Sequence, residues 1–507
     1  MDRATASKAG CHAFESHPDH LMASVKKNII LNGINTLTSV LFPVITFPYA
    51  ARILLPEGIG AINFLNSIIG YIVLLTSLGI PMYAVREVAK YRDDIARRNT
   101  ITVEIIILST LLCLLGYVAV WFLAKFVPQI HEQASIFYVL SLSIVFNSIG
   151  VNWFYQAIED FKFITIRAVI IRVLSALALF VFVHQPSDLM WYAFIVVGST
   201  VGNNFINFIH LRKHLSLKDI TVSELNVWQH VSPAFQVFIL NLIISLYIQL
   251  NSIMLGFMAG ETEVGYFTAG TKISHIALTV ISSISTVLLP RCAHLVKAGQ
   301  MEEFVNIIKK SVALILALAF PMTVGMMVLV TPITVVFCGV EFAPASLVLL
   351  LNAPVVVSIS MTNILGIQVL YPMNKIGLVT WSVAGGAVIN LIFNFALIPS
   401  MGANGAAIAT LLAEFGVFGL QLVLGWKYYP FSLGCMLQWR YMIATALMGC
   451  AVWATTFMLE DDWVKLVIGV PVGVVVYLLY LAVTNDPVLR EIKQFFRLKS
   501  SNPKSTY

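Results

Sequence analysis

A chain of 507 residues that is 59% hydrophobic and only 11% charged is excluded from the ordinary soluble class, in which about a quarter of residues are charged. Its mean hydropathy of +0.87 and its apolar blocks of about 20 residues or more fit one class, a protein that crosses a hydrocarbon core of roughly 30 Å many times. The net charge of +6 carries no message about nucleic acid, because the cations follow the topology set out below.

In chain order, residues 1–27 read as a cytoplasmic tail. The first 25, with three His and one Cys, lack an apolar signal core, so a disordered tail and no cleavable signal peptide are expected. Apolar blocks follow at 28–51, 60–85, 100–124, 134–157, 163–183 and 189–209, an N-terminal six-helix bundle over 28–210. A cytoplasmic linker, 211–230, leads to blocks at 231–259, 264–289, 311–337, 345–370, 376–398 and 402–426, a C-terminal six-helix bundle over 231–427. Helices 13 and 14, at 439–458 and 464–483 within 438–483, precede a second cytoplasmic tail, 484–507. The blocks lack period-two alternation and are too long for barrel strands. The fold class is therefore all-α integral membrane, with about 14 transmembrane helices.

Orientation follows from the 31 Lys and Arg residues. The two tails and the even-numbered links hold 25 of them, and the odd-numbered links hold three: Arg52, Lys125 and Lys465. The remaining three, Arg167, Arg172 and Lys272, lie inside helices. That bias places both termini in the cytoplasm. The six Cys residues show no CxxC spacing and read as unpaired thiols, with no metal, disulfide or cofactor expected.

A repeat is visible. Pro56-Glu57-Gly58-Ile59-Gly60 opens the second helix and Glu261-Thr262-Glu263-Val264-Gly265 opens the eighth. The tract Gln156–Lys162 between helices four and five has its counterpart at Tyr371–Lys375, between helices ten and eleven. Two halves of six helices, each starting in the cytoplasm, make parallel repeats about an axis normal to the membrane, an architecture used for alternating access.

Charges inside helices are costly, so each is a functional candidate. At about 1.5 Å of rise per residue, Arg172 lies roughly 14 Å deep on helix five, Lys272 roughly 12 Å deep on helix eight and Glu414 roughly 18 Å deep on helix twelve. His275 follows Lys272 by three residues and shares its helix face. Glu414 and His275 are the candidates for ion coupling, with H⁺ or Na⁺ as the candidate ion. The competing reading pairs Glu414 with Lys272 or Arg172 as a structural bridge. Arg52 closes helix one at the outer surface. Arg167 and Glu104 are shallow enough to reach the interface by snorkelling. The amides Asn63, Asn66, Gln249, Asn251, Asn390 and Asn394 either bind sugar hydroxyls or bond between helices.

Three stretches carry a resemblance: Pro48-Tyr49-Ala50-Ala51-Arg52 through Gly60, Asn152-Trp153-Phe154-Tyr155-Gln156 through Lys162 and on to Arg167, and Met254-Leu255-Gly256 through Lys272-Ile273. Together they resemble the bacterial polysaccharide repeat-unit (O-antigen and capsule) flippases of the multidrug/oligosaccharidyl-lipid/polysaccharide exporter superfamily. The resemblance covers residues 25 to 430, and helices 13 and 14 fit by number. It implies a V-shaped pair of six-helix bundles in the bacterial inner (plasma) membrane. It also implies a substrate, an oligosaccharide on a polyprenyl diphosphate, moved from the cytoplasmic to the outer leaflet. Family members often carry an acidic residue and then Lys just before the Met-Leu-Gly stretch, where this chain has Asn251-Ser252. An acidic coupling group is therefore not expected there.

The expected substrate site is Arg52, Arg172, Lys272, Asn63 and Asn251. The other expected partners are membrane lipids and a polysaccharide polymerase, with no nucleic acid. The alternative is a drug or cation antiporter on the same scaffold, which would need a carboxylate free in the cleft. A membrane-embedded enzyme would need a sizeable outer loop or paired acids. Asp93-Asp94 and Asp461-Asp462 sit in ordinary charged links, and no enzyme activity is expected.

Overall fold

A computed structural model of the chain describes residues 18–215 and 225–490. Arg3, Lys8 and Cys11 of the first tail, Lys218 of the linker, and Lys493, Arg497, Lys499 and Lys504 of the last tail lie outside the described residues. Every regular element described is helical. Among the described residues, ten helices are long and apolar enough to cross a membrane, and two of these, Gly33–Lys90 and Ile376–Tyr428, each hold two crossings joined at a kink. Adding Val231–Met258 and Trp439–Thr456 gives fourteen spans.

Span 1 covers 18–54, beginning ten residues before the expected 28, and span 2 covers 56–77 with the continuation Ile80–Lys90. Spans 3, 5 and 6 are Ile95–Phe126, Phe161–Phe182 and Leu189–Leu211, and span 4 is Ala134–Ile149 extended by Asn152–Ala157. The second half begins with spans 7 and 8, Val231–Met258 and Glu261–Lys297. Span 9 is Met301–Val328 with Val330–Cys338, and span 10 is broken into Ala345–Asn352, Val355–Thr362 and a π-helical Asn363–Leu370. Spans 11 and 12 are the two arms of Ile376–Gly425, bent at Gly402. Spans 13 and 14 are Trp439–Thr456 and Asp462–Val483, docked on span 9 by Tyr477, whose hydroxyl donates to the Ala317 carbonyl at 2.8 Å.

The two halves repeat each other down to backbone angles. Leu55 has φ 62° and ψ 173°, and Gly260, at the same step before its helix opening, has φ 92° and ψ 173°. On the other side, Glu159 (φ 60°) and Asn374 (φ 58°) occupy equivalent turns. The Glu159 amide donates to the Gln156 carbonyl at 3.1 Å and that of Asp160 to Tyr155 at 2.9 Å. Correspondingly, the Asn374 amide donates to Tyr371 at 3.0 Å and that of Lys375 to Leu370 at 2.8 Å. This is one helix-ending motif built twice, with the left-handed residue just past the helix and the five-residue bond behind it.

The repeats also meet each other reciprocally. A side-chain carbon on Gly60 would overlap the Glu261 carbonyl, and one on Gly265 would overlap the Pro56 carbonyl. Position for position, each half makes the contact the other receives, as a two-fold relation requires. Only glycine permits backbones this close, which is why both openings end in Gly.

Leu55 holds a backbone conformation that favours glycine, and such residues cost of order 1–3 kcal/mol. Its repeat partner is Gly260. Leu55→Gly is therefore expected to stabilise the protein by about 1 kcal/mol, the lower end of that range, because Gly adds unfolded-state entropy in opposition. Thermal unfolding in detergent reads this directly. A lower Tm for Leu55→Gly would show that side-chain packing outweighs the strain.

Candidate functional site

Helix-interior cations from both halves converge on one cavity. It has a volume of about 300 Å³ and lies among spans 1, 5, 6 and 8. Phe42, Pro43 and Phe47 line it from span 1, Arg172 and Ser175 from span 5, Tyr192 and Ser199 from span 6, and Lys272 from span 8. No Asp or Glu lines it.

The Arg172 side chain is half-buried, and Nη1 donates to the Asn35 carbonyl at 3.1 Å, to Asn35 Oδ1 at 2.9 Å and to Thr38 Oγ1 at 2.7 Å. These bonds anchor the guanidinium to span 1, while Nη2 and Nε make none to the described residues. Lys272 Nζ stands 4.5 Å from the centroid of the Phe47 ring, a cation–π contact that holds the ammonium without neutralising it. Neither cation has an ion-pair partner among the described residues. Two cations without a carboxylate partner in one cavity leave positive charge that an anion would offset.

The other expected site residues fall elsewhere. Arg52 is exposed and donates through Nη2 to the Val336 carbonyl, tying the C-terminal end of span 1 to that of span 9. Asn63 Nδ2 donates to the Ile59 carbonyl of its own helix at 2.7 Å. Asn251 is buried in an amide chain between helices: its Nδ2 donates to Thr410 Oγ1 at 3.0 Å, and its Oδ1 accepts from Asn394 Nδ2 at 2.7 Å. Asn394 also donates to Asn390 Oδ1 at 3.0 Å, so this group takes the interhelical role. Glu414 is buried, with its backbone carbonyl accepting from Ser358 Oγ at 2.8 Å, and it lies outside the cavity wall. His275 is exposed and does not join Lys272 in lining the cavity.

Two expectations are overturned. Glu104 does not snorkel: its side chain is 1% exposed and fully bonded. It accepts from the Asn226 amide at 2.6 Å, Gln229 Nε2 at 3.0 Å and His230 Nε2 at 2.9 Å, while His230 Nδ1 lies 2.6 Å from the Tyr83 hydroxyl. Arg167 is likewise 7% exposed, donating from Nε to Asn203 Oδ1 at 3.0 Å and from Nη2 to Asn152 Oδ1 at 3.3 Å. Depth alone suggested a reach to water, but both residues sit on the bundle-facing side of their helices. Sequence reasoning missed the Glu104–His230–Tyr83 group altogether. The only signal for it was an acid on an otherwise apolar helix.

With this geometry in hand, comparison with known proteins defines the class. A family model described as "Polysaccharide biosynthesis protein" matches residues 25–296, more than half of the chain. The chain belongs to that family, and it is a multi-pass membrane protein. It is 25% identical over 400 residues to a protein of Escherichia coli (strain K12) named "Putative O-antigen transporter", covering 79% of this chain and 96% of that one. In fold it is similar to a solved structure titled "Lipid II flippase MurJ, inward closed conformation", with TM-score 0.69, 14% identity and coverage of 91% of this chain and 100% of that one. It is also similar to an inward-facing multidrug transporter of the MATE family, with TM-score 0.59, 14% identity and coverage of 79% and 97%.

Proposed function

We propose that the chain is a flippase that carries polyprenyl-diphosphate-linked oligosaccharide repeat units from the cytoplasmic to the outer leaflet of the bacterial inner membrane, by alternating access. The observation that carries this reading is the cavity shared by Arg172 and Lys272, one cation from each half and no carboxylate. A diphosphate and a hydrophilic glycan cannot cross hydrocarbon unaided, because each lost water contact must be replaced. A cavity of about 300 Å³ is at the small end of ligand sites, which suits the diphosphate with its first sugar rather than a whole repeat unit. The isoprenoid tail has an apolar groove of about 420 Å³ available among spans 8, 9, 13 and 14, walled by Ala277, Met322, Val452, Gly473 and Tyr477.

A drug or cation antiporter on the same scaffold would need a carboxylate where this cavity has none. The two readings separate in a strain lacking its repeat-unit flippase. Restored surface polysaccharide with unchanged drug resistance supports the flippase, and the opposite pattern supports the antiporter. The protein acts as a carrier rather than an enzyme, without a cofactor, and a polysaccharide polymerase is its expected downstream partner.

Both termini are cytoplasmic in this reading. Reporter fusions at Gly260 and Asp461 should report the outer face, and those at Asp94 and Gln300 the cytoplasm. Reversal at any two of them overturns the orientation. Glu414 is the proposed coupling group, exchanging H⁺ or Na⁺ from its buried place beside span 10. The variant Glu414→Gln should bind substrate yet transport slowly and with an altered pH dependence. Normal transport with an unaltered profile makes it structural.

A further inference from the structure

A second groove, about 450 Å³, opens between spans 5 and 6 at the end that carries the charged link between spans 4 and 5. It is graded along its length. Asp160, Lys162, Arg167 and His210 line its polar end, while Ile166, Ile170 and Ile206 line the remainder. Ile166 and Ile170 are about half exposed on the outer surface of the bundle, where the bilayer lies. From Asp160 to Ile170 the helix rises about 15 Å, roughly half a hydrocarbon core.

The polar end contains groups that the protein itself leaves unanswered. Arg167 is more than nine-tenths buried, yet Nη1 has no hydrogen-bond partner. His210, stacked on Phe163 at 4.1 Å, has an unpartnered buried Nδ1. No ion pair among the described residues involves Arg167, Lys162 or Asp160, whose carboxylate is used to cap span 5 by accepting from the Phe163 amide at 3.2 Å. An orphaned guanidinium N–H in a nearly buried position is costly, and a phosphate oxygen would satisfy it.

We propose that this groove binds an anionic phospholipid, with its phosphodiester at Arg167, Lys162 and His210 and its acyl chains along Ile166, Ile170 and Ile206. Charge decides which lipid. The fixed charges of Lys162, Arg167 and Asp160 sum to +1, matched to a singly charged phosphodiester and short of the charge on a diphosphate. Basic pockets between spans at the cytoplasmic interface are a known form of such recognition. The site is separate from the cavity of Arg172 and Lys272, so neither proposal stands on the other.

The test uses the purified full-length protein, with native mass spectrometry counting the lipids retained and Tm measured on adding phosphatidylglycerol or phosphatidylcholine. Phosphatidylglycerol should be retained and raise Tm, and phosphatidylcholine should do neither. Lys162→Gln should weaken retention about fivefold, the worth of one cation at a membrane surface. Asp160→Asn keeps a helix-capping side chain but removes the opposing charge, so it should strengthen retention by a similar factor. Arg167→Gln risks the bonds to Asn203 and Asn152, so the argument relies on the other two variants. The double variant Arg172→Met/Lys272→Met should retain phosphatidylglycerol normally, whatever happens to transport. Equal retention of the two lipids, or no change in either Lys162→Gln or Asp160→Asn, overturns the proposal. Tighter retention of undecaprenyl diphosphate than of phosphatidylglycerol overturns it too, since the groove would then be a substrate site.

Discussion

The double variant Arg172→Met/Lys272→Met, expressed at the level of the unaltered protein, is expected to abolish surface polysaccharide in a flippase-null strain. Removing one side of a desolvated charge pair costs about 2 kcal/mol or more, roughly 30-fold in affinity for each cation. Two such losses together leave no useful occupancy. The single variants should differ in an order the structure sets. Lys272 lies over the Phe47 ring, and a guanidinium stacks on an aromatic face at least as well as an ammonium, so Lys272→Arg should retain function. Arg172→Lys should not, because one ammonium cannot both bond Asn35 and Thr38 and present a planar pair of donors to phosphate. Since Arg172 also ties span 5 to span 1, Asn35→Ala provides the control: it loosens the anchor and leaves the charge. If Asn35→Ala is as damaged as Arg172→Met, the arginine matters as a strut. Full rescue by the double variant would leave the cavity without a role in binding.

The convergence of Arg172 and Lys272 was open to sequence reasoning because depth along a helix can be counted from its ends. Two cations at matching depth in opposite halves had few places to go except a shared interior. Pairing of the halves could be read from their turns for a related reason. Where the chain must adopt a left-handed conformation or bring backbones into contact, the residue choice is restricted, as in Gly60 and Gly265 or Glu159 and Asn374. Azimuth was not legible. An 11% charged chain gives too few polar residues to mark which side of each helix faces lipid and which faces protein. Glu104 and Arg167 were therefore placed at the interface although both point inward. The two readings of the amides could not be separated for the same reason. Asn251, Asn390 and Asn394 look alike as sugar ligands and as interhelical ties until their mutual distances are known.

Glu104→Ala should be the most destabilising of the single substitutions considered, by about 3 kcal/mol, because it takes the acceptor from three donors, the buried His230 ring among them. Glu104 is on span 3, Tyr83 on the continuation of span 2, and Asn226, Gln229 and His230 immediately precede span 7. The carboxylate thus answers three donors from the second half while fixed to the first, across 122 to 126 residues of chain. Close packing reinforces the joint, since a Cβ at Gly79 would overlap the Ala234 carbonyl at the start of span 7. At the opposite end, the halves meet through the backbones of Gly60 and Gly265, and two hydrogen bonds cross there, from Gln133 Nε2 to Glu261 Oε1 at 2.6 Å and from Arg52 Nη2 to the Val336 carbonyl. The halves are therefore hydrogen-bonded at both ends, with the buried acid–imidazole group at the Glu104 end alone among the described residues. Opening the Glu104 end during transport must leave the Glu104 carboxylate and its donors to water. Glu104→Gln keeps the shape and two possible acceptor bonds, so it should cost less than Glu104→Ala and should favour the state in which that end is open. Unfolding can be followed through the buried thiols Cys113, Cys292 and Cys338, which react only on exposure. A double-mutant cycle of Glu104→Gln with His230→Asn isolates the pair itself, and contacting residues of this kind couple by about 0.5–3 kcal/mol. Strictly additive effects would mean that Glu104 and His230 act independently, and the joint between the halves would then rest on the packing of Gly79 against span 7.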